Sequence, residues 1–173
     1  MLVAKHIVEA IEYIVLAYFM MSSLYVLLFA LGGHFYKNRK FKIHMHPFKM
    51  AVFIPAYKED EVIEDVAREA LKQNYPSKHF DVIVIADSLK KSTIDGLKQL
   101  AIRVIEVSFE NSTKAKALNA AMAQIKGNYD YALILDADNI MERQFLKKLN
   151  SAFNLGFRVI QGHRKAKNLN TPF

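Results

Sequence analysis

Two aspartates, Asp136 and Asp138, follow an apolar run in the C-terminal half of the chain. They are two residues apart, so on an extended backbone both side chains project from the same face. Such a pair can hold one hard divalent cation, Mg²⁺ or Mn²⁺, with phosphate oxygens and water completing the shell. The alternative is a solvated acidic turn, although a turn has no need of both carboxylates. The pair predicts a metal site.

Residues whose side chains could bind a ligand also follow two earlier apolar runs. Pro55, Ala56, Tyr57 and Glu59 follow the first run, and Asp87 follows the second. Asp87 can accept a hydrogen bond from a nucleobase ring N–H, or it can be a helix cap or a turn residue. Tyr57 offers a ring for stacking, with half-buried packing as the alternative. Glu59 can instead be the acidic first turn of a helix that begins there.

The segment NSTKAKALN (111–119) opens a predicted helix with cap-forming residues. A helix N-terminus together with Lys114 suits a diphosphate, whereas an ordinary surface lysine is the alternative. Gln161, His163 and Arg164 follow a later apolar run and can reach the same region. Neither a P-loop nor a GxGxxG motif occurs, which argues against ordinary nucleotide hydrolysis and dinucleotide binding.

Short β-rich runs alternate with helical patterns after Pro47, which predicts a parallel sheet covered by helices. The predicted strands are 50–55, 81–86, 102–107, 131–136 and 157–161, and the predicted helices are 59–73, 91–100, 113–126 and 142–153. The first, second and fourth runs are almost wholly apolar, as expected of strands buried on both faces. Ligands of such sheets bind beyond the carboxyl ends of the strands, where strand order reverses. The candidate residues therefore converge on one edge.

A membrane-spanning helix is predicted near the N-terminus. Tyr13 to Gly33 are 21 consecutive residues without a charge, which at about 1.5 Å per residue spans about 31 Å, the hydrocarbon thickness of a bilayer. Glu9 and Glu12 precede this run and cations follow it, the reverse of a cleaved signal peptide. A soluble core helix would keep a polar face, and here Ser22 and Ser23 are the only strongly polar side chains. We expect an anchor.

The net charge of +7 is concentrated in one block. Residues 37–58 carry six cations and no acid, while the remainder of the chain is nearly neutral. Cations beside anionic headgroups explain this block better than a nucleic-acid arm, so we expect membrane lipid and no nucleic acid as a partner. The positive-inside rule places the region from about residue 40 in the cytoplasm. Zero cysteines exclude thiol catalysis and cysteine-bound metals.

Four motifs in order resemble family 2 glycosyltransferases of the GT-A fold, in particular membrane-anchored bacterial members that synthesise exopolysaccharides or cellulose-like chains. The segments FIPAYKEDEVI, QNYPSKHFDVIVIADS, KAKALNAAM and LILDADN carry the resemblance across residues 50–139, and VIQGHRKAKN extends it more loosely. The resemblance implies a nucleotide-diphospho-sugar transferase fold, which is a Rossmann-like, mostly parallel α/β sheet with flanking helices.

The resemblance also implies a function and a donor site. We expect an inverting, metal-dependent transfer of sugar from a nucleotide-sugar donor, UDP-linked in most members, to a glycan or lipid-linked acceptor at the plasma membrane. Pro55, Ala56, Tyr57 and Glu59 would line the nucleoside pocket, and Asp87 would bind the base. The diphosphate and metal would be held by Lys114 and by the segment Asp136, Ala137, Asp138, whose two aspartates form the DxD pair that binds Mg²⁺ or Mn²⁺.

Departures from the family pattern concern two residues and the length. Lys58 stands where asparagine is usual and Ala86 where aspartate is frequent. Family members continue with an acceptor-side carboxylate base, so we expect a fragment in which no catalytic residue is assigned and the base lies beyond Phe173. The expected divisions are an anchor (1–36), a basic juxtamembrane segment (37–49) and a donor-binding part (50–173). The alternatives are a truncated, membrane-tethered nucleotide-sugar-binding module without turnover and, more remotely, a membrane-tethered phosphate or nucleotide sensor of flavodoxin-like topology.

Overall fold

A computed structural model describes residues 2–35 and 46–165. By its internal contacts the chain divides into two units, residues 1–40 and 41–173. Most of the predicted basic segment 37–49, including His44, lies outside the described residues, as does the chain after residue 165.

The N-terminal unit is a single helix, α1 (Leu2–His34). Apolar side chains cover its whole circumference and are exposed, as in a helix whose environment is itself apolar. The stretch Lys5–His34 is long and apolar enough to cross a membrane. This confirms the predicted apolar helix; a signal sequence passes the same test of length and composition.

Four parallel strands form the sheet of the second unit. They are β1 (Met50–Tyr57), β2 (Phe80–Asp87), β3 (Arg103–Val107) and β4 (Tyr131–Ile134), in the spatial order β3-β2-β1-β4. β1 and β2 are central and buried on both faces, as their unbroken apolar runs predict. The predicted parallel α/β sheet is confirmed.

Helices cover both faces of this sheet. They are α2 (Ile63–Leu71), α3 (Lys91–Lys98), α4 (Lys114–Gln124) and α5 (Phe145–Asn154), and a short 3₁₀ turn, Ser77–His79, precedes β2. Alternate β1 residues face opposite ways: Val52 and Ile54 pack in the cluster that includes α2, α3 and α5, whereas Ala51 and Phe53 pack with α4. The result is a three-layer α/β arrangement.

One strand prediction is wrong, and another is wrong in part. The segment 157–161 is not a strand; a cavity of about 280 Å³ separates residues 158–160 from β4, and Val159 is 90% exposed. Its apolar content favours a strand, but a strand also needs a ladder partner within hydrogen-bonding distance. β4 is not buried on both faces: α4 packs on the other three strands, and Ile134 is 47% exposed.

Candidate functional site

The candidate site lies where strand order reverses. Going along the chain, β2 and then β3 are added on one side of β1, whereas β4 is added on the other side. β1 pairs with β4 only as far as Phe53, whose carbonyl accepts a 2.9 Å hydrogen bond from the Leu135 N–H, while its pairing with β2 continues to Tyr57 and Asp87. The last four residues of β1 therefore lack a neighbouring strand on one side, and a crevice opens there.

A cavity of about 340 Å³ occupies this crevice. Its lining consists of Pro55, Ala56, Tyr57, Glu59, Asp87, Ser112, Thr113, Lys114, Ala117, Asp136, Ala137 and Asp138. All nine residues predicted from the sequence to bind a nucleotide-sugar are therefore brought together, from four separate segments. Their roles in binding remain predictions.

Three lining residues were not among the predicted site residues: Ser112, Thr113 and Ala117. Thr113 is the N-cap of α4, and its hydroxyl accepts a 3.2 Å hydrogen bond from the Lys116 N–H. The N-terminus of α4 therefore borders the cavity, where its unpaired N–H groups favour an anion. The cap-forming run 111–113 was the signal in the sequence, but only the fold shows that its side chains face the strand ends.

Asp87 is a buried carboxylate, only 1% exposed. The Ser112 hydroxyl donates to one of its oxygens and the Ser88 hydroxyl to the other, the latter at 3.0 Å. It does not cap the following helix, because Lys90 precedes α3 and Asp60 accepts from the Lys90 N–H at 2.8 Å. Two hydroxyl donors hold this carboxylate in a fixed orientation at the cavity wall.

Asp136 is the most heavily engaged carboxylate of the site. Lys114 Nζ contacts Oδ1, Arg164 Nη2 contacts Oδ2, and the Asn139 amide donates to Oδ2 at 3.2 Å. The Lys114 hydrogen bond, supported by Lys114 and Arg164 charge, lowers the Asp136 pKa despite partial burial. Arg164 contacts the site through Asp136 but, like Gln161 and His163, does not line the cavity.

Asp138 differs from Asp136 in its surroundings. It is exposed and, among the described residues, has no hydrogen-bonding or ionic partner, although it lines the same cavity. The expected extended backbone is wrong at this point: residues 137 and 138 form a turn, and the Asn139 N–H donates to the Asp136 carbonyl at 3.1 Å. The turn nevertheless brings both carboxylates to the cavity.

Backbone strain marks the ends of β1 and β2. Lys58 has φ +56° and Ser88 has φ +57°, left-handed conformations that cost a non-glycine residue roughly 1 kcal/mol or more. The Lys58 N–H donates to the Asp87 carbonyl at 3.1 Å, which ties the two ends together. Lys58 Nζ lies 5.0 Å from the centre of the half-exposed Tyr57 ring. Asparagine tolerates this conformation better than lysine, so the substitution at position 58 is a conformational cost.

Glu59 lies in the loop before α2. α2 begins at Ile63, and the acidic residues of its first turn are Glu64 and Asp65. Glu59 is therefore not part of the first turn of that helix, and its exposed side chain borders the cavity instead.

The carboxylate pair fits a divalent cation that binds together with a phosphate ligand. In the described part of the chain, no group of three or more acidic or histidine side chains is close enough to form a complete protein cage. Mg²⁺ and Mn²⁺ do not require one, because one or two carboxylates, substrate phosphates and water can complete their octahedral shell. Asp138 is open for this purpose, whereas Asp136 would have to exchange cationic partners for the metal.

Sequence comparison identifies relatives of this chain. Residues 46–173 match the family described as "Glycosyltransferase like family 2". Poly-beta-1,6-N-acetyl-D-glucosamine synthase of Staphylococcus aureus is 32% identical over 110 residues, which cover 61% of this chain and 26% of that protein. The poly(ribitol-phosphate) beta-N-acetylglucosaminyltransferase TarS, also of S. aureus, is 24% identical over 103 residues, which cover 57% of this chain and 18% of TarS. The matched regions thus span about a quarter or less of either relative.

Solved structures share the fold. A mannosyltransferase of Pyrobaculum calidifontis, solved with GDP-Man and Mn²⁺, has a TM-score of 0.56 at 22% identity, covering 74% of this chain and 39% of the other. TarS residues 1–349 of S. aureus, solved with UDP, has a TM-score of 0.50 at 23% identity, covering 58% and 30%. These similarities confirm the predicted GT-A fold. With the family match over residues 46–173, they identify the chain as a member of glycosyltransferase family 2.

Proposed function

We propose that this chain forms the donor half of an inverting, metal-dependent glycosyltransferase. It would take a sugar from a nucleotide-sugar, in our proposal a UDP-sugar, and the whole protein would transfer it to a growing glycan or a lipid-linked acceptor. The observation that carries the proposal is the convergence of nine predicted residues around one cavity at the strand-order reversal. The family match supports the reaction class.

Each side of the cavity suits one part of a nucleotide-sugar. The fixed Asp87 carboxylate can accept from a base N–H, and the half-exposed Tyr57 ring can pack against the base or ribose. The α4 N-terminus and Lys114 supply N–H and ammonium donors to the diphosphate. Asp136 and Asp138 would hold the divalent cation, which as a Lewis acid stabilises charge on the departing diphosphate.

The acceptor side of the reaction calls for a base. In an inverting transfer the acceptor hydroxyl attacks the anomeric carbon as the nucleoside diphosphate leaves, and a carboxylate takes up the proton. We assign this base to no residue of the chain. The carboxylates of the cavity already have other proposed roles: Glu59 and Asp87 at the nucleoside and its nucleobase, and Asp136 and Asp138 at the metal.

We further propose that α1 anchors the protein in the plasma membrane, with the sheet unit on the cytoplasmic side. The length and apolar circumference of α1 support the anchor, and the six cations of residues 37–58 support the orientation through attraction to anionic lipid.

The test is calorimetric titration of UDP and UDP-N-acetylglucosamine into the 173-residue chain in detergent, with and without Mn²⁺. We expect binding that requires Mn²⁺ and that falls at least about ten-fold in Asp138→Asn, because the variant loses a charged oxygen ligand. Asp95→Asn, which removes one exposed carboxylate outside the cavity, is the matched control and should bind as the parent does. Absence of UDP binding by folded protein would overturn the proposed donor site.

A further inference from the structure

Asp136 has two cationic partners that come from different parts of the chain. Lys114 is the first residue of α4 and contacts Oδ1, while Arg164 lies after α5 and contacts Oδ2. Together with the Asn139 amide they occupy the carboxylate oxygens that a divalent cation would need. Lys114 lines the cavity and is already part of the proposed donor site, but Arg164 has no assigned role.

Packing explains how Arg164 arrives at the strand ends. Ile160 packs against the main core cluster, and Gly162 lies so close to Phe145 that a Cβ at this position would be 2.9 Å from the ring. A Cβ at this position would require either the Phe145 ring, which is packed against the core, or the segment itself to shift. These two contacts fix the segment before Arg164 and direct the guanidinium to the Asp136 side of the crevice.

The Arg164–Asp136 pair is suited to exchange of partners. The Arg164 side chain is 78% exposed and the Asp136 side chain 26%, so the pair is largely solvated and contributes little net free energy. A guanidinium binds phosphate oxygens as readily as a carboxylate, through paired N–H donors. A diphosphate in the cavity would offer Arg164 an equivalent anion, and would release the Asp136 oxygens for a divalent cation.

We propose that Arg164 is a donor-binding residue that changes partner. It neutralises Asp136 in the empty site, and it moves to the diphosphate when nucleotide and divalent cation bind together. This inference rests on the proposed donor site. It has a specific consequence: Arg164 opposes binding of the metal alone and favours binding of the metal with a nucleoside diphosphate.

The test measures these two affinities separately in the 173-residue chain. Mn²⁺ alone is titrated by electron paramagnetic resonance of the free ion, and UDP is titrated by calorimetry at saturating Mn²⁺. For Arg164→Gln we expect Mn²⁺ alone to bind about two- to five-fold more tightly and UDP about two- to five-fold more weakly, as for loss of one solvated ionic contact. Arg158→Gln makes the same charge change on the same segment, but Arg158 lines the second cavity and does not contact Asp136, so neither affinity should change.

A second variant tests the positioning. Gly162→Ala retains Arg164 but pushes its segment away from Phe145, so both affinities should shift in the same directions as in Arg164→Gln. Circular dichroism establishes that each variant is folded. If UDP binds the parent and Arg164→Gln leaves both affinities unchanged, or moves both the same way, the partner exchange is disproved while the donor site stands. If the parent does not bind UDP, the donor site itself fails, and this inference with it.

Discussion

At the residue scale, Asp87 shows how the site is prepared before any ligand arrives. A carboxylate that is 1% exposed has lost most of its hydrating water. The free-energy cost of burying it depends on the hydroxyl donors that replace that water. Ser88 and Ser112 supply them from two different loops. The orientation of Asp87 is therefore set by the fold, and in the proposed donor site the carboxylate would not have to rearrange when a nucleotide binds.

Replacement of Ser112 with alanine should expose this dependence. The change leaves one Asp87 oxygen without its hydroxyl donor inside the protein, so we expect the free energy of unfolding to fall by about 1–3 kcal/mol and UDP affinity to fall with it. Urea unfolding followed by circular dichroism measures the first effect and calorimetry the second. Ser92→Ala, at an exposed position of α3, is the control; equal effects of the two variants would contradict the role given to Ser112.

At the element scale, the start of α3 is fixed by a side chain from another loop. Asp60 accepts from the Lys90 N–H at 2.8 Å and from the Thr93 hydroxyl at 2.7 Å, although Lys90 itself offers no capping side chain. Asp60 thus ties the N–H of the N-cap residue to the first turn of α3, as the acid of a capping box does, but by tertiary contact. These hydrogen bonds, the Thr93 hydroxyl first, lower the pKa of Asp60.

This shift gives a pH dependence with a definite sign. Because the folded pKa of Asp60 is below its unfolded value near 4, the stabilisation is present above that value and is lost as pH falls through the folded pKa. We therefore expect Asp60→Ala to lower the thermal midpoint at pH 7, with the difference from the parent shrinking in acid. Differential scanning calorimetry from pH 7 to pH 3 measures it. Glu61→Ala is the neighbouring control, and a difference that grows in acid would contradict the assignment.

At the scale of the whole molecule, α1 and the basic block after it predict a topology. Cations that follow a membrane span stay in the cytoplasm, so the C-terminus should lie there. Green fluorescent protein fused to the C-terminus should therefore fluoresce, and alkaline phosphatase fused at the same place should be inactive. Replacing Lys37, Arg39, Lys40 and Lys42 with glutamine should raise phosphatase activity. Four glutamine replacements at Lys90, Lys91, Lys98 and Arg103, which are far from the span in the sequence, should leave phosphatase activity unchanged. High phosphatase activity in the parent would place the sheet unit outside.

Much of the second unit could be predicted from residue pattern, because its elements are short and strongly periodic. The β1 run is apolar throughout and the β2 run is apolar from Val82 to Ala86, so burial on both faces removes these residues from water. The prediction for 157–161 failed for the opposite reason: an apolar run specifies burial but not a ladder partner, and Ile160 is buried by core packing instead. β4 has a strand sequence, but its exposed face depends on where α4 packs.

Most of the helices and strands, and the residue types at their ends, follow from local sequence pattern. Apolar periodicity specifies strands and helices locally, and residues such as Asp87 and Asp138 are placed at strand ends by position along the chain. The tertiary structure decided the strand order, the crevice beyond Phe53, and the partners of Asp136, including Arg164 from 28 residues further along. Those features depend on packing between elements distant in sequence, which no local pattern encodes.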